Sequence, residues 1–281
     1  MKTILQNNYK EKLANLNDQF CFYLFNREEL KQKLNNFSTS ANPLFTTDLF
    51  KNNEYSKKIH VTFEKLPEFQ EKNETLNFGA YFSFSYEFVS SYIDDVIVFL
   101  EQTNGVSLSE NQQKNVPEKR LKIALNQIGL GLPSQELFST LEYCRLRRNY
   151  FTHVLDALNS RFLSLVNNRG SVLNTFWTSA RSELDFTLQN VDEFTENETI
   201  ELIKILRITL IEIDEFIGGI LNKTKVAEFI CKEIYEQKPT RINTEIVAQR
   251  KKKVLTIAKR DFDMILSDSE MDKAVKTIGR K

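Results

Sequence analysis

Eight glycines and five prolines in 281 residues leave few places for this chain to turn sharply. Sandwiches and barrels need such residues at their corners, so their scarcity points to long helices. The length suits one large domain, or one domain with a substantial appendage, and buries a core without disulfides or metals. Hydrophobic residues make up 41%, with 22 Phe among them. The three cysteines, Cys21, Cys144 and Cys231, are far apart and form no CxxC or Cys/His pair, against a disulfide framework or a zinc site.

Charge narrows the classes further. With 38 basic and 38 acidic residues the formal net charge is zero, so bulk charge does not mark a nucleic-acid binder. The start, "MKTILQNNYKEKLANL", carries no apolar run of the kind a signal peptide needs. The most apolar stretch, "IELIKILRITLIEIDEFIGGIL", is interrupted by charges every three or four residues, which marks an amphipathic helix and not a membrane span. The expected location is cytoplasmic.

Along the chain, residues 1 to about 38 show helical spacing in Leu13, Leu16, Phe20, Tyr23 and Leu24. A loop follows at "NFSTSANPLFTTD". "KIHVTFEKL" alternates Ile59, Val61 and Phe63 against His60, Thr62 and Glu64, a short strand pattern whose best partner is "LNFGAYFSF" at 76 to 84. Helical spacing returns from about 80 to 102. Pro117 opens a short helix. A long helix is expected from about Ser134 to Val166, with "NNRGS" breaking the chain before a helix around 172 to 189. Thr195 and Glu198 form a capping-box pattern ahead of a helix at 198 to 221. Two or three shorter helices complete 224 to 281. The expected organisation is an N-terminal helical region at 1–74 with a possible short strand, a helical bundle at 75–223, and a basic helical tail at 224–281. The tail should be separable, so that a chain cut near residue 238 still folds.

The stretch "RRNYFTH", 147 to 153, holds one of only two histidines. On a helical wheel, Arg148, Asn159, Thr152, Arg145, Asp156, Asn149, Glu142, Ser160 and His153 fall across an arc of about 140°, with no apolar residue from the window intruding. Arg147 stands on the apolar side, where it is expected to snorkel. A polar arc is most often a solvated face. This one differs in carrying two Arg, an Asn and a scarce His where other faces of the chain use Lys and Glu.

The order Arg148-Asn149-x-x-x-His153, with a helix on either side, resembles the HEPN superfamily, over about residues 75 to 223. The resemblance implies a mainly α HEPN-like bundle and, as in many members, a metal-independent endoribonuclease acting as a homodimer through the motif helix, in a toxin–antitoxin or phage-defence setting. It implies Arg148, His153 and Asn149 as catalytic residues. Its expected partners are RNA and an antitoxin or defence-system protein, with no metal or cofactor. The chemistry is coherent. RNA brings its own 2′-OH nucleophile, His moves protons near neutral pH, and a guanidinium matches a five-coordinate phosphate. Asn149 can orient His153 or hold a phosphate oxygen. Glu142 and Asp156 can fix the His153 tautomer or pair with Arg145, while Arg145 and Thr152 complete a supporting, RNA-binding set. One helix carries only one such set, so a two-fold pair would bring two to one phosphate.

Two other classes stay open: a HEPN-like module that binds nucleotide or RNA without cutting, and a helical adaptor whose polar arc meets a protein partner. Elsewhere, His60 reads as a structural residue on the polar side of the expected strand. "RKKK" at 250 to 253 is the one dense basic run. In residues 239 to 281 eleven Lys or Arg stand against six acids, so this run is either a solvated helix face or a track for an RNA backbone. No GxxxxGK[ST], GxGxxG or HExxH is present.

Overall fold

Apolar residues three and four apart make the central helix. The computed structural model describes residues 1–35, 44–153, 160–188, 191, 194–235 and 244–278. Its helices in chain order are α1 (Leu5–Asn35), α2 (Thr46–Leu49), α3 (Ser56–Ile59), α4 (Leu66–Asn104), α5 (Glu110–Gln113), α6 (Pro117–Gln127), α7 (Gln135–His153), α8 (Ser160–Thr178), α9 (Glu196–Ile220), α10 (Lys223–Tyr235), α11 (Thr244–Phe262) and α12 (Asp268–Ile278). In α4, Phe78, Phe82, Tyr86, Val89, Ile93, Val96 and Leu100 repeat at helical spacing and are all buried. Proline in the first turn starts the helix. Gly105, at φ 72° in the left-handed region, ends it by returning its N–H to the carbonyls of Leu100 and Glu101. Helices α1, α6, α7, α9 and α10 all pack on α4.

The mainly helical expectation holds: the described residues contain no strand. The residues around Ile59 to Phe63 form the end of α3, a left-handed cap at His60 (φ 37°), a single antiparallel bridge between Phe45 and Thr62, and one turn of 3₁₀ helix at Phe63–Lys65. His60 is exposed and stacks on Phe45 at 4.9 Å. The would-be partner strand, 76 to 84, lies inside α4. Its aromatic residues satisfy both periods, and burial of the i, i+4 pair Phe78 and Phe82 decides for helix.

One core runs through the described chain. The division after residue 74 falls inside α4, and Tyr9, Leu13 and Phe20 of α1 belong to the same apolar cluster as α4 and α9. The first residues are tied down as well. Asp214 of α9, fully buried, accepts hydrogen bonds from the Thr3 backbone N–H at 2.8 Å, from the Thr3 hydroxyl and from Tyr92 at 2.9 Å. At the other end, α10, α11 and α12 form as three short helices. They do not stand apart: Phe262 stacks on Phe99 of α4 at 5.9 Å, and its carbonyl accepts from the Lys2 N–H. Val254, Ala258, Met264, Met271 and Ala274 are buried with it. Arg250, first of the basic run, is buried with its guanidinium 4.3 Å from the Tyr235 ring, and Lys251 pairs with Asp272. That run is therefore only partly a solvated face.

The expected long helix at 134 to 166 is two helices, α7 and α8, and the six residues between them lie outside the described residues. "NNRGS" does not break the chain, because α8 continues through it. Gly170 is needed there for packing and not for turning: a Cβ would meet the Phe186 carbonyl oxygen at 2.7 Å. Thr195 caps α9, its hydroxyl accepting from the Glu198 N–H at 3.2 Å. No helix among the described residues is long and apolar enough to cross a membrane.

Candidate functional site

The motif occupies the last two turns of α7, and the structure divides the polar arc along its length. At the N-terminal end the arc is packed. Arg145 is buried, and its Nε donates to Glu118 Oε1 of α6 at 2.8 Å, with Glu118 equally buried. Glu142 accepts from Arg161 Nε of α8 at 2.5 Å and lies 4.0 Å from Arg145. These two residues thus join α7 to its neighbours.

At the C-terminal end the arc opens. Arg148 is half-buried. Its Nη2 lies 2.6 Å from Glu87 Oε1 of α4, and its Nη1 donates to Asn149 Oδ1 at 3.1 Å. The guanidinium is thereby held between a carboxylate on one helix and an amide on its own. Thr152 is exposed, and its hydroxyl donates to the Arg148 carbonyl at 2.9 Å, a bond to its own backbone one turn earlier. His153 is exposed and is the last residue of α7. Asp156, expected in the same set, lies outside the described residues, as does Asn159.

Phe151 sets the position of this end. Its ring lies where a Cβ on Gly79 of α4 would be, 2.4 Å from the ideal position, and packs edge-on against Phe194 at 5.4 Å. With no side chain at residue 79, α7 approaches α4 closely, and the motif lies across the N-terminal half of that helix.

Arg147 does not snorkel. It is completely buried, its Nη1 bonded to Glu198 Oε1 at 2.7 Å and lying 3.4 Å from the Tyr143 hydroxyl, and its guanidinium stands 4.5 Å from the Phe194 ring. Burial pushes the Arg147 pKa down, but Tyr143 and Glu198 outweigh it and the group stays charged. Burial raises the Tyr143 hydroxyl to about 12 and the Cys144 thiol to about 12, so neither is a nucleophile near neutral pH. Nothing in the sequence assigns Glu87, Glu118 or Glu198 to its arginine, and Glu198 stands out there only as the capping-box partner of Thr195. Each lies 27 to 61 residues from its arginine and meets it only through helix packing.

Among the described residues no three His, Cys, Asp or Glu side chains gather as a metal-ligating group. Fold and site define a helical-bundle protein with a half-buried arginine, an asparagine and an exposed histidine at one helix end. No family model matches the chain, and neither does any curated protein or solved structure.

Proposed function

We propose that the chain is a metal-independent endoribonuclease of the HEPN type, acting on cellular RNA as a homodimer in a toxin or phage-defence role. The supporting observation is the pairing of Arg148 and Asn149 at 3.1 Å on the helix that ends in exposed His153. In this reading the RNA 2′-oxygen attacks the adjacent phosphorus and loses its proton, and the P–O5′ bond breaks as the departing oxygen gains one. The products end in 2′,3′-cyclic phosphate and 5′-OH. His153 moves a proton, and Arg148 bears the charge of the five-coordinate phosphate. Asn149 holds the guanidinium in place. Because one helix places Arg148 and His153 about 140° apart, a second copy supplies the opposing set.

One observation favours the non-catalytic alternative, a module that binds RNA or nucleotide without cutting: Glu87 already occupies the Arg148 guanidinium at 2.6 Å. A phosphate must displace that carboxylate. Purified protein is incubated with mixed cellular RNA in excess EDTA, beside His153→Ala, Arg148→Lys and Glu87→Gln. The endoribonuclease reading expects His153→Ala to lose about 10²- to 10⁴-fold. It expects Arg148→Lys to fail for want of the bidentate fork, and Glu87→Gln to bind RNA up to about fivefold more tightly, the scale of an exposed ion pair. RNA binding without turnover places the module ahead. Equal cleavage by wild type and His153→Ala ends the catalytic reading.

A further inference from the structure

The open face of α4 carries an aromatic ring beside two arginines that reach it from other helices. Phe84 is 58% exposed. Glu87, three residues on, is its neighbour on the helix surface, and it lies 2.6 Å from Arg148 of α7. Asp94, seven residues beyond Glu87, pairs with Arg120 of α6, Oδ1 to Nη2, also at 2.6 Å. At about 100° and 1.5 Å per residue, Glu87 and Asp94 differ by only about 20° around α4 and by about 10 Å along it. Exposed Ser91 stands between them on that face.

We infer that Phe84, Arg148 and Arg120 form a track for single-stranded RNA along α4: a base stacks on Phe84 beside the phosphate at Arg148, and Arg120 holds a second phosphate of the same strand two helical turns away. The track rests on the proposed endoribonuclease reading only for which phosphate is cut.

Each part fits that occupant. Any base offers a face to an exposed aromatic ring, whatever the sequence. A duplex keeps its bases stacked inside, so only an unpaired strand can use Phe84. The carboxylates of an acidic peptide would meet the arginines equally well but leave Phe84 bare. The two arginines stand too far apart for one phosphate to touch both, which calls for a chain of phosphates. Both arginines also have donors to offer. Nε of Arg120 and Nε of Arg148 have no hydrogen-bond partner. The Arg120–Asp94 contact is an ion pair without hydrogen-bond geometry, since Asp94 Oδ1 lacks a hydrogen-bond partner too. A guanidinium carries five N–H groups in a fork that suits phosphate oxygens. The Arg120 and Asp94 side chains are 22% and 43% exposed, so a phosphate reaches this pair from solvent. As at Glu87, it competes there with a carboxylate, which sets a measurable sign: neutralising Asp94 strengthens RNA binding.

The test uses the full chain and a fluorescein-labelled 2′-O-methyl oligouridine of about twelve nucleotides, within the usual site size. This probe lacks the 2′-OH nucleophile and cannot be cut, so fluorescence anisotropy reads binding alone. Phe84→Ala should weaken binding roughly 5- to 150-fold, the loss of one stacked base, and Phe84→Trp should restore it. Phe22→Ala, as exposed on α1, should bind as wild type does. Arg120→Gln should lower the slope of log Kd against log salt by about 0.7, the share of one phosphate on a single strand. Asp94→Asn should tighten binding up to about fivefold. A wild type that does not bind, Phe84→Ala or Arg120→Gln matching wild type, or duplex RNA of the same length binding as tightly overturns the track. A glutamate-rich peptide that binds as tightly as the oligonucleotide and loses as much in Phe84→Ala makes the partner an acidic protein and overturns it too. Cleavage of ordinary RNA separates the two readings. Binding that follows these variants without any cleavage leaves the track standing and removes the endoribonuclease. Cleavage by wild type with an unchanged KM in Phe84→Ala overturns the track and leaves the endoribonuclease.

Discussion

Arg147→Met removes a charge from the interior of the bundle while keeping the length and apolar stem of the side chain. Arg147 is fully buried and Glu198, bonded to it at 2.7 Å, is 16% exposed at the side chain. Deleting one partner of a buried pair costs about 3–5 kcal/mol, because the other charge is left without compensation. Glu198 keeps some access to water, so the lower end applies, about 3 kcal/mol. The guanidinium's seat over Phe194 at 4.5 Å adds about 1 kcal/mol. At roughly 2–4 °C per kcal/mol for a chain of this size, Arg147→Met should melt roughly 8–16 °C lower. Glu198→Gln should cost about 3–5 kcal/mol, since the charge it strands is the more deeply buried one. The double variant Arg147→Met/Glu198→Leu should recover most of the loss, because an apolar pair of similar volume replaces a buried ion pair at little net cost. Urea unfolding of the four proteins gives the coupling directly. Single variants within about 0.5 kcal/mol of wild type, or a double variant equal to the sum of the singles, would refute the claim that this pair clamps α7 to the start of α9.

Two further outcomes are expected. Burial, opposed by the Thr3 and Tyr92 hydrogen bonds, raises the Asp214 pKa above its ordinary value. A raised folded-state value means that the stability from this group is complete below the unfolded carboxylate pKa and is lost as pH rises through the folded one. Wild type should therefore gain stability relative to Asp214→Asn as pH is lowered from 7.5 through the raised folded-state pKa toward the ordinary carboxylate value of about 4, measured by thermal unfolding, and a gap that narrows over that range would reverse the assignment. Cutting the chain after residue 238 should give aggregated or unfolded protein, not the independent bundle expected from composition. The lost segment buries Phe262, Met264 and Met271 against the core, at about 1.5–3 kcal/mol each. A soluble truncated chain with wild-type helicity would show the tail to be dispensable.

What the amino-acid order determined by itself is local. Few turn residues, a proline at the start of α6, a threonine cap on α9 and apolar spacing in α4 and α9 act within a few residues of one another, so the helical class and several helix starts were legible. The placement of Arg148, Asn149 and His153 together on one helix is equally local. The tertiary structure decided everything that depends on which faces meet. Alternating Ile59, Val61 and Phe63 reads as a strand, but among the described residues only the single Phe45–Thr62 bridge pairs with it. Aromatic residues at 78, 81, 82 and 84 fit two periods until packing buries some of them and leaves Phe84 open. Arg147 and Arg148 are adjacent letters of one kind, yet one is sealed against Glu198 and Phe194 while the other lies half open beside Glu87. Their fates diverge because neighbouring residues on a helix point about 100° apart, and the carboxylates that receive them come from helices 51 and 61 residues distant in the chain.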